Sequence, residues 1–473
     1  MKSLPTIFLE TIQSDLGNDT PKFIAALGEN PPISIRLNPK KQSSPITHHL
    51  SPIKYTEGGY YLPERPIFTL DPAFHAGAYY VQEASSMFIA EALSQVVDLQ
   101  QDIIVLDICA APGGKTTLLA SLFTDNSFLL ANEVIKSRVE VLKENVMKWG
   151  YPNVFISNHD TEDFSNAEIL RGVFDVIVID APCSGEGLFR KDERAIDEWS
   201  PDNVVLCAAR QKRILTNAVP LLKPNGILLY STCTYNHFEN MDNVAWLTQN
   251  FDLQSVKLDI NAFDGIVEKE KAGAFGYQFY PHRVKGEGFF LAVFKLKSDK
   301  NMAGRHPDKI GTAGGVSTKN ISVPFQKLPR KQIDIASKWI HNADNFDFFL
   351  KPNGQVFIIS KKHIVHIALI DKALKRKSIG LEIGEFKGQD FIPSHELALS
   401  NLVATDTPSL FLSKKEALKY LKKENIEVNT SLQGWALAKY EGLNLGWMKV
   451  LKNRVNNYLP KDFRIRMDLP REH

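Results

Sequence analysis

Val105-Leu106-Asp107-Ile108-Cys109-Ala110-Ala111-Pro112-Gly113-Gly114-Lys115-Thr116 is an apolar run that ends in an acid, followed by a Gly-rich turn and residues fit to open a helix. A buried strand feeding a tight turn and a helix has this pattern, and open parallel sheets bind ligands at the carboxyl ends of such strands. Outward from it, further apolar runs occupy Phe128 to Ala131, Val173 to Ile179, Gly226 to Tyr230 and Phe289 to Phe294, and Ile103 to Leu106 is the first of the set. Amphipathic segments lie between them. The alternation implies an α/β, Rossmann-like, doubly wound parallel sheet over residues 101–296.

The turn excludes two familiar nucleotide sites. A dinucleotide fingerprint needs G-x-G-x-x-G, and Ala110, Ala111 and Pro112 stand in the turn; a P-loop would share Gly114-Lys115-Thr116, but Cys109 stands where its first Gly belongs. Glu133 ends the next apolar run and is placed to accept both hydroxyls of a ribose, while Gly113 and Gly114 let backbone approach a ligand closely. Asp160 follows Val154-Phe155-Ile156, where it can receive an adenine amine. A ribose acid without a pyrophosphate cradle fits S-adenosylmethionine.

At 473 residues and 44% apolar composition, the chain is expected to fold as two or three domains. No leader pattern and no run of roughly 20 apolar residues is seen, so a cytoplasmic protein with no membrane partner is expected. The four cysteines, Cys109, Cys183, Cys207 and Cys233, have no metal-ligand spacing, so no metal and no disulfide is expected. Cys207 reads as a buried helix residue, and Cys109 as a small side chain packed against the turn.

Cys183, in Asp180-Ala181-Pro182-Cys183-Ser184-Gly185, and Cys233, in Ser231-Thr232-Cys233-Thr234, each follow a strand-like run. Either alone reads most simply as a small buried residue. As a pair delivered to one sheet rim beside Asp180 and a cofactor turn, they point to methyl transfer through a covalent intermediate. Carbon 5 of cytosine is a poor nucleophile until a thiolate adds at carbon 6, and the attacking cysteine must be accessible and readily ionised. Spacing does not say which thiol attacks. Asp180 is the candidate partner of the base, Lys191 is a candidate phosphate contact or thiol activator, and Gly185 and Gly187 are read as leaving room for a flipped base.

The net charge of +2 hides a division: residues 297–473 hold 30 Lys and Arg against 18 Asp and Glu, a balance of +12, and residues 1–296 sum to −10. The basic part is the expected polyanion grip. Residues 1–100 read as a small α+β lead-in that includes the strand-like Ile33 to Leu37. Residues 297–326 lose periodicity and read as a linker, residues 327–409 as a small α+β module, and residues 410–473 as a further one.

Together these residues resemble the Nop/Sun family of RNA cytosine-5 methyltransferases, and within it the bacterial RsmF type that acts on small-subunit ribosomal RNA. The resemblance rests on Ile35-Arg36-Leu37-Asn38, Tyr79 to Met87, the cofactor turn and both cysteine motifs. It implies that Cys233 attacks the base, that Cys183 helps release the product, and that Cys109 to Lys115, Glu133, Asp160 and Asp180 line the cofactor site. Phe391 to Leu399 resembles a segment after the RsmF-type catalytic domain. Residues from 410 on, with Gly434-Trp435 and Leu445 to Lys449, resemble a PUA-type RNA-binding module. Lys372, Lys375, Arg376, Lys377, Lys452, Arg454, Arg464 and Arg466 are then candidate phosphate contacts, and His395 a structural residue. A monomer acting on ribosomal RNA is the expectation; transfer RNA as substrate and a non-catalytic assembly factor are the alternatives.

Overall fold

The computed structural model describes residues 2–41, 50–297, 323–426 and 430–468. Five strands, β1 (Ile104–Asp107), β2 (Phe128–Asn132), β3 (Val154–Ser157), β4 (Phe174–Asp180) and β5 (Leu222–Thr232), run parallel in the order β3-β2-β1-β4-β5. Helices α1 (Gly114–Leu122), α2 (Lys136–Trp149), α3 (Thr161–Asn166), α4 (Pro201–Ala218) and α5 (Met241–Asn250) accompany them. Both sheet faces are covered, which is why the strands read as unbroken apolar runs. Leu106, Leu130, Ile177 and Leu228 pack on one side with Leu215 and Leu247, and Val105, Leu129, Val176 and Leu229 on the other with Leu118 and Trp149.

The expected all-parallel sheet is corrected to a mixed one. β6 (Leu253–Ser255) and β5 both pair antiparallel with β9 (Phe289–Leu296), which continues into β8 (Ala274–Phe279) and β7 (Val267–Lys271), also antiparallel. The apolar run of β9 reports burial on both faces and carries no sign of strand direction. β7 and β8 are joined at Ala272 and Gly273, both with positive φ (53° and 76°), a two-residue turn that makes these two strands antiparallel neighbours.

The chain order reverses between β1 and β4, so Asp107, Asp180 and Thr232 reach one rim. In register, Asp107 stands beside Val178, and Asp180 beside Ser231.

The flanking regions are fused to this sheet. Phe8, Ile12 and Phe23, from two N-terminal helices (Thr6–Leu16 and Thr20–Leu27), pack with Phe189, Trp199, Tyr235 and Tyr280. Ile33–Leu37 is the inner strand of a four-stranded sheet, and from it the buried Arg36 donates to Gln82 Oε1 (2.9 Å) and Thr117 Oγ1 (2.6 Å) and stacks on Trp149. That sheet shares a core with the C-terminal end: Ile35, Ala73 and Tyr79 pack with Leu412, Tyr420, Leu445 and Ile465. Residues 326–393 form a five-stranded sheet, whose Phe349, Phe357 and Ile359 join the catalytic core, and β10 (Lys377–Ser378) extends the central sheet beside β3. Strands Ser409–Phe411, Gly434–Tyr440, Leu443–Leu451 and Arg454–Asn457 make the last sheet. Of the expected linker, residues 298–322 lie outside the described residues, while Val323 and Phe325 pack against the central core.

Candidate active site

The cofactor turn is built by contacts within its own segment and with the end of β2. Thr116 Oγ1 donates to Asp107 Oδ2 (2.6 Å), Thr117 Oγ1 donates to the Gly113 carbonyl (2.8 Å), and Ala110 N–H donates to the Asn132 carbonyl (2.8 Å). Ala111–Pro112 is cis. Gly113 takes φ +113°, and a Cβ there would press Leu142 at 3.2 Å, so glycine answers both a backbone and a packing demand. Cys109 packs against the core as expected, and burial pushes its thiol up.

Asp107 Oδ1 is buried without a partner, and burial, only partly offset by the Thr116 hydrogen bond, pushes the carboxyl up to about 7. Glu133 is 3% exposed; its carboxylate accepts the Ile135 N–H (2.9 Å) and meets Arg138 Nη1 at 3.4 Å, and Arg138 Nη2 donates to the Ala111 carbonyl (2.6 Å). With Asp180 nearby, three carboxylates face a rim holding an orphaned acceptor. Such a donor set fits the ammonium, sulfonium and ribose hydroxyls of S-adenosylmethionine.

Asp160 caps α3 by accepting from Glu162 N–H (3.1 Å), and both its oxygens are taken by Arg213, at 2.7 and 3.1 Å. An adenine amine would therefore share this carboxylate with a guanidinium, a competitor that α4 supplies from 53 residues away and that local sequence gave no sign of.

The two thiols meet. Cys183 Sγ and Cys233 Sγ are 3.0 Å apart, and the Cys233 N–H points at Cys183 Sγ from 3.4 Å. Hydrogen bonding with Cys233, then burial, pushes the Cys183 thiol up, so Cys183 keeps its proton. Asp180 accepts from Ser231 Oγ (3.1 Å) and pairs with Lys115 Nζ (2.7 Å). Burial opposes the charge on Lys115, but Asp180 foremost and then Cys233 hold its ammonium above the ordinary range. Lys115, expected only as part of the cofactor turn, is thus the cation that links that turn to the thiols.

Lys191 is elsewhere engaged: half-exposed, it pairs with Glu287 at 3.5 Å. Gly187 also departs from its expected role. Its N–H donates to the Cys233 carbonyl (2.8 Å), and a Cβ would lie 2.7 Å from that oxygen and 2.8 Å from the Gly288 carbonyl, so the missing side chain admits protein backbone and leaves no space for a base.

Two residues that motif reading missed lie beneath the thiols. Glu186 is 1% exposed and Glu239 is fully buried. Glu186 accepts from Thr234 Oγ1 (2.6 Å), Tyr235 N–H (2.8 Å), Asn236 N–H (3.0 Å) and Trp199 Nε1 (3.0 Å). Glu239 accepts from Ser184 N–H (3.0 Å) and Gln211 Nε2 (2.7 Å). The available signal was an acid three residues after one cysteine and six after the other, each within a segment otherwise destined for burial.

In the basic region Lys372, Lys375, Arg376, Lys452, Arg454, Arg464 and Arg466 are exposed. Lys377 is withdrawn from that set, because its ammonium is held by Asp371 and the Leu374 carbonyl. His395 is buried against Phe463, with burial lowering its pKa to about 3, which fits a structural residue. Among the described residues no group of His, Cys, Asp and Glu could hold a metal, and no helix is long and apolar enough to cross a membrane.

Three family models match the chain: 16S rRNA methyltransferase RsmB/F over residues 94–295, the N-terminal domain of 16S rRNA methyltransferase RsmF over 4–84, and the methyltransferase RsmF PUA domain over 407–465. Ribosomal RNA small subunit methyltransferase F of Vibrio parahaemolyticus is 31% identical over 484 residues, covering 97% of each chain. That of Shewanella oneidensis is 31% identical over 486 residues, covering 98% of this chain and 97% of its own. Among solved structures, a methyltransferase homolog protein from Pyrococcus horikoshii is 27% identical with a TM-score of 0.52, covering 62% of this chain and 95% of its own. NSun6 from the same organism, with SFG, shares the fold at 21% identity and a TM-score of 0.52, over 62% of this chain and 99% of its own. With near-full-length identity of this order and the rim geometry above, the chain belongs to the RsmF-type branch of the RsmB/F family and is an S-adenosylmethionine-dependent methyltransferase.

Proposed function

We propose that this protein methylates carbon 5 of a cytosine in small-subunit ribosomal RNA through a covalent adduct, acting as a monomer in the cytoplasm. The observation that carries the reading is the contact of Cys183 and Cys233 beside the Asp180–Lys115 pair. A methyltransferase acting on an exocyclic amine needs no thiol, whereas carbon 5 chemistry uses one thiol to attack and a second group to take the carbon 5 proton.

In this reading the sulfur of Cys233 adds to carbon 6 of the base. Asp180 hydrogen-bonds the base edge and supports charge that develops on the ring. Bound S-adenosylmethionine supplies an electrophilic methyl group. Asp107, Glu133 and Cys109 to Lys115 hold the cofactor, with Asp160 at its adenine end. Cys183, after passing its own proton to water, takes the carbon 5 proton as a thiolate, and the electrons of the broken C–H bond re-form the ring double bond as Cys233 leaves as a thiolate. Residues 1–100 and 410–473 grip RNA around the catalytic residues 101–296, and residues 327–409 brace them.

The test is transfer of labelled methyl from S-adenosylmethionine to total RNA that lacks this modification, followed by nucleoside analysis and mapping. 5-Methylcytidine in small-subunit ribosomal RNA is expected. Label confined to transfer RNA replaces the substrate, and tight RNA binding without label sinks the enzymatic reading.

A further inference from the structure

The two thiol loops hold each other by exchange. Glu186 belongs to the Cys183 loop, yet its carboxylate receives the hydroxyl of Thr234 and the N–H groups of Tyr235 and Asn236, all in the loop of Cys233. Glu239 follows Cys233, yet it receives the N–H of Ser184, next to Cys183, and the amide of Gln211, which also donates to the Pro182 carbonyl (3.1 Å). Asn236 Nδ2 joins the two acids, at 3.1 Å from Glu186 Oε1 and 2.8 Å from Glu239 Oε1. A third bond, Ser184 Oγ to Thr234 Oγ1 at 3.1 Å, links the residues that directly follow the two cysteines. We infer that Glu186 and Glu239 are positioning residues, a reciprocal clasp that keeps the two thiols in contact and so lets the adduct made by one be resolved by the other.

The chemistry of the clasp calls for carboxylates. Among the described residues the Glu239 carboxylate is met by N–H donors, those of Ser184, Gln211 and Asn236, and Glu186 faces N–H donors on both of its oxygens: Trp199 Nε1 and Asn236 Nδ2 at Oε1, Tyr235 and Asn236 N–H at Oε2. A glutamine of the same shape would turn its NH2 group onto a donor in either orientation. Gln211 cannot rotate to compensate, because its own Oε1 already accepts from Tyr230 and Asn243. Buried donors left facing a donor are costly, so one loop must shift against the other.

The inference rests on the covalent reading for its kinetic half only. Its geometric half is testable without RNA, using the full chain and diamide, a diazene that takes two electrons and two protons from a thiol pair and becomes the hydrazine as the disulfide forms. The parent should form the Cys183–Cys233 disulfide, read by peptide mass spectrometry, and Glu186→Gln and Glu239→Gln should form it about tenfold more slowly. With RNA, both variants should lose about tenfold in turnover, and a larger share of enzyme should sit as adduct, while affinity for S-adenosylmethionine stays within twofold. Parental disulfide rates in both variants overturn the clasp. Should either variant fail to bind S-adenosylmethionine, Thr234→Val, which deletes the hydroxyl's bonds to Glu186 and Ser184, is compared with Ser184→Ala, which deletes only the second: slower oxidation in Thr234→Val than in Ser184→Ala supports the clasp, and equal rates overturn it. Absence of any adduct in the parent and in Cys183→Ala would sink the covalent reading while leaving the oxidation result to stand alone.

Discussion

The cofactor turn and the thiol loops occupy the same sheet rim and are assembled in opposite ways. Around the turn, partners are close in sequence: Thr116 reaches Asp107 across nine residues, and Thr117 reaches Gly113 across four. Around the thiols, Glu186 reaches Thr234 across 48 residues and Glu239 reaches Ser184 across 55. The turn's side-chain bonds lie mostly within its own segment, to which Asn132 and Arg138 add one bond each, whereas the second site exists only once β4 and β5 have paired. Chemistry that needs two mobile groups in contact has been put on the part of the site that the whole fold must hold.

The strongest way to break this contrast is to remove the thiols singly. Cys233→Ala is expected to lower methylation by more than about 1000-fold, and Cys183→Ala to leave a covalent protein–RNA adduct on denaturing gels. The reverse pattern would exchange their roles. On the cofactor side, Asp107→Asn should weaken S-adenosylmethionine by about 10- to 100-fold, the loss of one charge-assisted bond. The Asp107 carboxyl is pushed up to about 7, and only its ionised form attracts an ammonium. Affinity measured by calorimetry should therefore rise from pH 6 to pH 8 in the parent and stay flat over that range in Asp107→Asn.

Gly187→Ala would sharpen the comparison, since its Cβ would strike the Cys233 carbonyl. Destabilisation of about 1–3 kcal/mol is expected from overpacking, with turnover reduced and cofactor affinity kept; equal loss of both would show that the two halves of the rim are not separable. Neutralising Lys452, Arg454, Arg464 and Arg466 should leave cofactor binding alone and flatten the salt dependence of RNA affinity by about one unit of slope per true phosphate contact. The smallest effect concerns histidines. Burial lowers His366 to about 4 and His395 to about 3, so the stability they lend is present in full above pH 6.5 and is lost progressively as pH falls from 6.5 to those values. Urea midpoints at pH 7.5 and 5.0 should show that fall, and His366→Asn should reduce it.

Much of the architecture was legible because burial writes itself into strands: the runs at β1, β2, β4, β5 and β9 were each found within a few residues. Strand direction was not, because Phe289 to Phe294 is equally apolar whichever way it runs. Local groups such as Asp107, Glu133 and the two cysteines were visible from their motifs. The partners of the two lysines were not legible either, since Lys191 pairs with Glu287 and Lys115 with Asp180, each far away in sequence. Glu186 and Glu239 stayed hidden for the same reason, as their partners are assigned by tertiary pairing alone.

Biosynthesis meets one of these features directly. The sheet carrying Ile35 and Tyr79 finishes its apolar face only against Leu412, Tyr420 and Leu445. At translation speeds of about 5–20 residues per second, the nascent N-terminal sheet waits roughly 20 to 75 s for its other half to be made. Throughout that interval the apolar face of the sheet lacks its partner, and a message truncated before codon 410 would leave Ile35 and Tyr79 without it for good.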